Sequence, residues 1–200
     1  MNNKIIISKE EKDEMKARLY FTYSFFNYGI DLDKYDFEIN ERYKAFIQQS
    51  KENSNNRIDL RLIKFEIENR ILLAIITLLC EMYEQYLGGI LIANLNITKG
   101  LSYSDIKNIY CEYGYDLSSN SHWNKIEELR ALVNVIKHGD GRSRSLLQEK
   151  RPDYIDHTEP IKNTLNDVEL NVWKEDLDNY FLELIKFIDE MPEIIDRTGK

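Results

Sequence analysis

Apolar residues recur every three or four positions along most of the chain, which is the spacing of amphipathic α-helices. The run Ser8-Lys9-Glu10-Glu11 has the form of a capping box. Behind it, Met15, Leu19 and Tyr23 fall on one helical face, and Gly29 provides a stop. The pattern therefore predicts a first helix that begins at Ser8 and ends near Gly29.

The same periodicity predicts six more helices and one short strand. The predicted elements are a loop at 30–39, helices at 40–51, 58–87, 102 or 104 to 114, 120 or 121 to 138, 143–150 and 174–191, and a strand at 168–172. Residues 71–80 are apolar almost all round, which predicts the central helix of a bundle. Gly88 and Gly89 either kink or end that helix, and residues 90–97 either continue it or form a separate turn.

Several helices without a βαβ rhythm or an internal repeat predict an all-α fold. The length of 200 residues suits one helical domain over 1–200. The expected architecture is a bundle of about five or more helices with one short β element.

Composition and net charge exclude several classes of function and several kinds of site. The net charge of −8 excludes a protein that coats nucleic acid along its whole surface, because phosphates require Lys and Arg. Two Cys exclude a disulfide framework, and three His leave little room for a His-built metal centre. The apolar run 71–80 is shorter than the roughly 20 residues of a membrane span, and no targeting segment is visible. We therefore expect a cytoplasmic protein without metal, cofactor or membrane partner, with Cys80 as an inert core thiol.

Candidate chemistry lies in the helix predicted at 121–138. Arg130, Asn134 and His138 follow each other at intervals of four, so they form one polar row beside an apolar stripe. Arg can bind phosphate bidentately, His can act as general acid or base near neutral pH, and Asn can orient either the His or a ribose hydroxyl. This row is the predicted catalytic set.

A structural interpretation of the same row stays open. In it, Arg130 pairs with a nearby glutamate and His138 caps the carbonyls of its own helix. The candidate glutamates are Glu81, Glu84 and Glu127. His122 and His157 stand apart and are expected to have surface or capping roles.

A basic segment follows the row. Residues 137–151 carry five cations and two anions, a net charge of +3 in an acidic chain. Together with the turn Gly139-Asp140-Gly141, they suggest an anion or RNA-backbone site. The predicted phosphate-binding residues are Lys137, Arg142, Ser143 and Arg144. The alternative is a solvated charged loop.

The stretch Arg130 to His138 resembles the active-site motif of HEPN-domain proteins. These are all-α bundles, and many are metal-independent endoribonucleases of toxin–antitoxin, phage-defence and RNA-processing systems. The family motif is an Arg, often followed by a polar residue, with four to six residues between it and a His. Here Ala131 follows the Arg, and seven residues separate it from His138.

The resemblance implies a site at a dimer interface where two motif helices face each other. His138 would activate the ribose 2′-hydroxyl or protonate the leaving oxygen, and Arg130 would stabilise the phosphorane. Asn134 would orient the imidazole or the ribose hydroxyl. The product would be a 2′,3′-cyclic phosphate, formed without metal. The implied partners are RNA, a cognate antitoxin or other protein, and a second copy of the chain.

A homodimer that buries the helix at 121–138 or its neighbour is also expected from the residues. The predicted motif helix carries a wide apolar face next to its polar row. That face comprises Trp123, Ile126, Val133 and Ile136.

Two functions of different classes follow. The first is a HEPN-like RNA-processing or defence protein that acts as a ribonuclease, which the basic segment favours. The second is a catalytically silent helical module that binds a partner protein or a nucleotide, which the irregular motif spacing favours. Whether the protein is an enzyme stays open at this stage.

Overall fold

The computed structural model describes residues 4–25, 60–139, 141–155 and 170–197, with side chains from residue 69 onward in the second range. The elements are β1 (Lys4–Ile6), α1 (Lys9–Ser24), α2 (Leu60–Leu95), α3 (Tyr103–Glu112), α4 (Trp123–His138), α5 (Arg142–Lys150), α6 (Lys174–Glu190) and β2 (Ile194–Asp196). The predicted loop at 30–39, the helix at 40–51, the stop at Gly29 and His157 lie outside the described residues. The all-α prediction is confirmed.

Two helices begin at the capping boxes that the sequence contains. The Ser8 hydroxyl accepts the Glu11 N–H at 3.1 Å, and the Glu11 carboxylate accepts the Ser8 N–H at 2.7 Å. Ser102 and Asp105 make the same reciprocal pair at 3.2 and 3.0 Å. Each box satisfies backbone donors that the first helical turn leaves free. Ser102, rather than Ser104, therefore begins α3.

The central helix α2 packs against α1, α3, α4, α6 and β1. Leu73, Ile76 and Leu79 are buried, as their pattern predicts. Ala74 and Leu78 are exposed, so the segment 71–80 is buried on one side and not all round. The bundle core therefore forms on one face of α2.

Of the alternatives at Gly88-Gly89, an end of the helix is wrong, because α2 continues as one helix to Leu95. The reason lies in the packing of α3. A Cβ at Gly88 would lie 3.3 Å from Cδ1 of Ile106, so the absence of a side chain lets α3 approach α2 closely. Burial of Leu87 and Leu91 on the same helix offsets the low helix propensity of glycine.

Residues 69–95 of α2 are long and apolar enough to cross a membrane by length and composition alone. The buried core helix of a soluble protein meets the same criterion. Ile76, Leu79 and Leu87 of this segment lie in the bundle core, whereas Leu78 and Ile92 are exposed.

The β element lies elsewhere than predicted. Within the predicted strand 168–172, residues 170–172 form no strand: Leu170 and Val172 are buried, and the Asn171 N–H donates a single bond to the Tyr154 carbonyl at 2.9 Å. Instead, β1 pairs antiparallel with β2, with Ile5 opposite Ile195. The alternating pattern indicated a segment whose residues alternate in burial, as Leu170 and Val172 do. The two strands that form, β1 and β2, instead pair residues that are distant along the chain.

Candidate functional site

The helix α4 presents the predicted row at the edge of the core. Its apolar stripe is buried, including Ile126, Leu129 and Leu132. Arg130 and Asn134 are half-buried, and His138 is exposed as the last residue of the helix. Eight residues at 1.5 Å each separate Arg130 from His138 by about 12 Å along the axis.

The start of α4 differs from the prediction. The N-cap position is His122, without a capping side chain, rather than Asn120 or Ser121. The Asn120 amide oxygen accepts the His122 N–H at 2.9 Å, and the Ser121 hydroxyl donates to Glu190 at 2.8 Å. Both expected caps are therefore engaged just before the helix.

Arg130 is held from two sides. Its Nε donates to Glu84 Oε1 on α2 at 2.7 Å, and its guanidinium carbon lies 3.2 Å from the ring centroid of Tyr103 on α3. Of the three candidate glutamates, Glu84 is thus its partner. The two terminal nitrogens of Arg130 have no hydrogen-bond partner among the described residues.

Buried groups surround this arginine. The hydroxyls of Tyr83 and Tyr103 are buried without a hydrogen-bond partner in the described part of the chain. Burial is the main cause that raises the pKa of both phenols above their ordinary value. Burial also raises the pKa of Cys80 to about 12, which keeps this thiol protonated and unreactive at neutral pH. The described groups near Arg130 whose pKa burial raises, Cys80, Tyr83 and Tyr103, are therefore protonated at neutral pH.

His138 and Asn134 differ from Arg130 in having free side chains. Neither forms a hydrogen bond or ion pair with any residue that the structure describes. The helix end is instead closed by Gly139, whose N–H donates to the Val135 carbonyl at 2.8 Å and whose φ of 68° suits glycine. The capping role considered for the His138 side chain is therefore wrong, and its imidazole is open to solvent.

The basic segment is less positive in space than in sequence. Lys137 pairs with Glu81 at 2.5 Å, Lys150 with Glu127 at 2.9 Å, and Arg151 with Asp153 at 2.7 Å. All three acidic partners lie outside residues 137–151. The local charge of +3 is thereby largely neutralised.

The predicted phosphate-binding residues occupy different surroundings. Arg142 is exposed at the start of α5 and makes no ion pair with the described residues, whereas Ser143 and Arg144 are half-buried. Lys137 is engaged with Glu81. Arg142 is therefore the predicted phosphate ligand that is most available.

The structure contains a buried ion cluster that sequence reasoning missed. Arg151 Nη1 lies 3.2 Å from Glu128 Oε1 and 2.9 Å from Asp176 Oδ1, and both carboxylates are buried. The same Glu128 oxygen accepts from Tyr180 at 2.8 Å and from Lys125 at 2.7 Å. The cluster joins α4, α6 and the turn after α5. In the sequence, Arg151 was only one of the five cations of residues 137–151, because Glu128 and Asp176 are distant from it along the chain.

His122 bridges two carboxylates of α6. Its Nδ1 lies 2.6 Å from Glu183 Oε2 and its Nε2 lies 3.1 Å from Glu190 Oε1. Burial raises the pKa of Glu183, but hydrogen bonds from Lys186 and His122 outweigh it and hold that pKa below its usual value. The hydrogen bond from Ser121 is the main cause that lowers the pKa of Glu190. The expected surface role of His122 is thus a link between two helices.

Among residues 4–25, 60–139, 141–155 and 170–197, no three His, Cys, Asp or Glu side chains are grouped to hold a metal ion. The chemistry visible in this part of the chain is that of an exposed imidazole, an amide, and a guanidinium with two unpartnered terminal nitrogens. The chain matches no family model, no curated protein and no solved structure.

Proposed function

We propose that the protein is a HEPN-like RNA-processing or defence protein that cleaves RNA without metal through Arg130, Asn134 and His138. The observation that carries the proposal is His138. It is an exposed imidazole at the end of α4, unpartnered among the described residues, and it follows Arg130 and Asn134 along one helix edge. Arg142, exposed after the turn, adds a cation for the RNA backbone.

The proposed reaction is a transesterification. One imidazole removes the proton of the ribose 2′-hydroxyl, whose oxygen attacks the adjacent phosphorus. The P–O5′ bond breaks, and the leaving oxygen takes a proton from a protonated imidazole. The products are a 2′,3′-cyclic phosphate and a 5′-hydroxyl. Arg130 stabilises the charge on the phosphorane, which is the role that a fixed guanidinium performs best.

The separation of about 12 Å along α4 favours a site made by two copies of the chain. Arg130 is turned to α2 and α3 by Glu84 and Tyr103, whereas His138 lies at the far end of the helix. A second α4 would supply the second imidazole near the same phosphate.

The proposed dimer must use a different face from the one that the sequence indicated. Trp123, Ile126 and Val133 are buried within one chain, and Ile136 is half-buried. The face available for a second copy is therefore the polar edge of α4, around Asn134 and His138.

A second candidate is the catalytically silent module that binds a partner protein or a nucleotide. The Arg130–Glu84 pair and the neutralised basic segment favour it, because both reduce the positive charge offered to a phosphate. In this case His138 would either help to bind the partner or have no functional role.

Expression in a bacterial host separates the two candidates. If the protein is a ribonuclease, the wild type slows growth and degrades cellular RNA, and His138→Ala abolishes both effects at equal soluble level. Equal growth and intact RNA with both forms would contradict the ribonuclease proposal and favour the silent module.

A further inference from the structure

The side chain of Arg130 is held by more contacts than a single surface ion pair provides. Three helices converge on it: α4 carries it, α2 supplies Glu84 and α3 supplies Tyr103. Its side chain is 21% exposed, so it is fixed within the fold and still accessible to a ligand. This combination suits an arginine that must present its donors in one orientation.

The contact with Glu84 decides which edge of the guanidinium is available. A guanidinium offers two bidentate edges, one formed by Nε and a terminal nitrogen, the other by the two terminal nitrogens. Glu84 takes the Nε–H, which occupies the first edge. The second edge makes no hydrogen bond with the described residues. A phosphate can therefore be bound bidentately through the two terminal nitrogens only.

Tyr103 fixes the plane of the same group. Its ring lies against the guanidinium on one side and is nearly parallel to Trp123, with centroids 6.5 Å apart and planes 11° apart. Trp123 belongs to α4, as Arg130 does, and Lys107 lies 4.7 Å from its ring centroid. Tyr103 is thus held by stacking.

We infer that Glu84 and Tyr103 are positioning residues that orient Arg130 to bind a phosphodiester through its two terminal nitrogens. The inference rests on the proposed function for the identity of that phosphate, the scissile group of RNA. Glu84 binds the Nε edge of the guanidinium and Tyr103 stacks on its plane. Arg130 therefore stabilises the transition state without first changing its orientation. Such preorganisation acts on the catalytic step more than on ground-state binding.

Two pairs of variants test the inference by RNA cleavage. Glu84→Ala and Tyr103→Leu are expected to lower kcat at least tenfold with KM changed less than threefold. Glu84→Gln keeps an acceptor and Tyr103→Phe keeps the ring, so each recovers most of the lost activity. Glu14→Ala, which breaks the exposed Arg18–Glu14 pair on α1, is the matched control and leaves kcat unchanged. If Glu84→Ala and Tyr103→Leu cleave as the wild type does, the inference is wrong.

A second readout does not depend on cleavage. The Nε–Hε signal of Arg130 in ¹⁵N NMR, assigned by its loss in Arg130→Lys, is expected to be shifted by the ring and slow to exchange. Tyr103→Leu loses the shift and Glu84→Ala speeds the exchange, whereas Tyr103→Phe and Glu84→Gln retain both. Thermal unfolding of each variant identifies a loss caused by misfolding. If Glu84→Ala does not fold, the two Tyr103 variants decide.

The two readouts separate the two claims. A wild type that cleaves no RNA, with the NMR pattern as expected, would refute the proposed ribonuclease and support the orientation of Arg130. An Nε–Hε signal that is unchanged in Tyr103→Leu and Glu84→Ala would overturn the positioning role whatever the RNA result.

Discussion

At the scale of residues, two arginines that look alike in the sequence differ in how deeply their carboxylate partners are buried. Arg151 compensates two buried carboxylates, Glu128 and Asp176, and is part of the fold. Among the described residues, Arg130 has one ion-pair partner, the half-buried Glu84, and its two terminal nitrogens make no hydrogen bond. The sequence could place both arginines on or beside the motif helix, but their acidic partners are distant in the chain, so their roles could not be assigned from spacing.

Removing Arg151 is expected to destabilise the protein severely. Arg151→Ala leaves Glu128 and Asp176 buried with less compensation, and loss of one partner from a buried ion cluster typically costs about 3 kcal/mol or more. Lys150→Ala, one position earlier, breaks a more exposed pair with Glu127 and should cost less than about 1 kcal/mol. Urea unfolding measures both free energies, and equal losses would contradict the structural role given to Arg151.

Glu183 is expected to make stability depend on acid pH. Its pKa is lowered in the folded state from an ordinary value of 4.5, so its stabilising contribution is present above about pH 4.5 and is lost as the pH falls through the folded pKa. Glu183→Gln should therefore reduce the free energy of unfolding near pH 6 and have little effect near pH 3. A difference between wild type and variant that is constant over this range would refute the assignment.

At the scale of elements, local sequence signals predicted where a helix begins or ends better than whether a helix continues through a glycine pair. The capping boxes at Ser8 and Ser102 and the stop at Gly139 act within four residues, so the sequence contains the whole cause. Whether the helix ends at Gly88 and Gly89 could not be decided from the sequence, because the contact of α2 with Ile106 on α3, which favours a bare backbone at Gly88, is not local.

The two glycines of α2 are expected to respond differently to alanine. A Cβ at Gly89 meets no atom within 4 Å, so Gly89→Ala should stabilise the protein by about 0.5–1 kcal/mol through helix propensity. At Gly88 the new Cβ lies 3.3 Å from Ile106, so Gly88→Ala should gain less or destabilise. Thermal and urea unfolding of both variants test this, and a larger gain at Gly88 would be inconsistent with the packing.

At the scale of the whole molecule, the described chain ends are tied together. The strands β1 and β2 pair across almost the full sequence, and buried Lys12 donates to the carbonyl oxygens of Asp189 and Met191 after α6. Periodicity could predict the helices that surround the core, but not this pairing, because no local pattern joins residues so far apart. The same limit applies to the candidate row of Arg130, Asn134 and His138. Spacing predicts that the row lies on one edge of α4, but it does not predict whether a second copy of the chain completes a site there.

Assembly is expected to be a homodimer through the polar edge of α4. Light scattering at micromolar concentration should give twice the chain mass of 23.8 kDa. Asn134→Arg adds like charge where two copies would face each other and should shift the protein towards monomer. The matched change Gln148→Arg, on the exposed surface of α5, should not. A monomeric wild type would contradict the two-copy site.

The most direct test of the proposed function is cleavage of a defined RNA by the purified protein in EDTA. The wild type should produce 2′,3′-cyclic phosphate and 5′-hydroxyl ends, and His138→Ala should reduce the rate at least a hundredfold without loss of folded protein. His157→Ala, a histidine outside the row, serves as the control and should cleave as the wild type does. If His138→Ala and the wild type cleave equally, or if the wild type leaves the RNA intact, the account of α4 as a ribonuclease site is wrong.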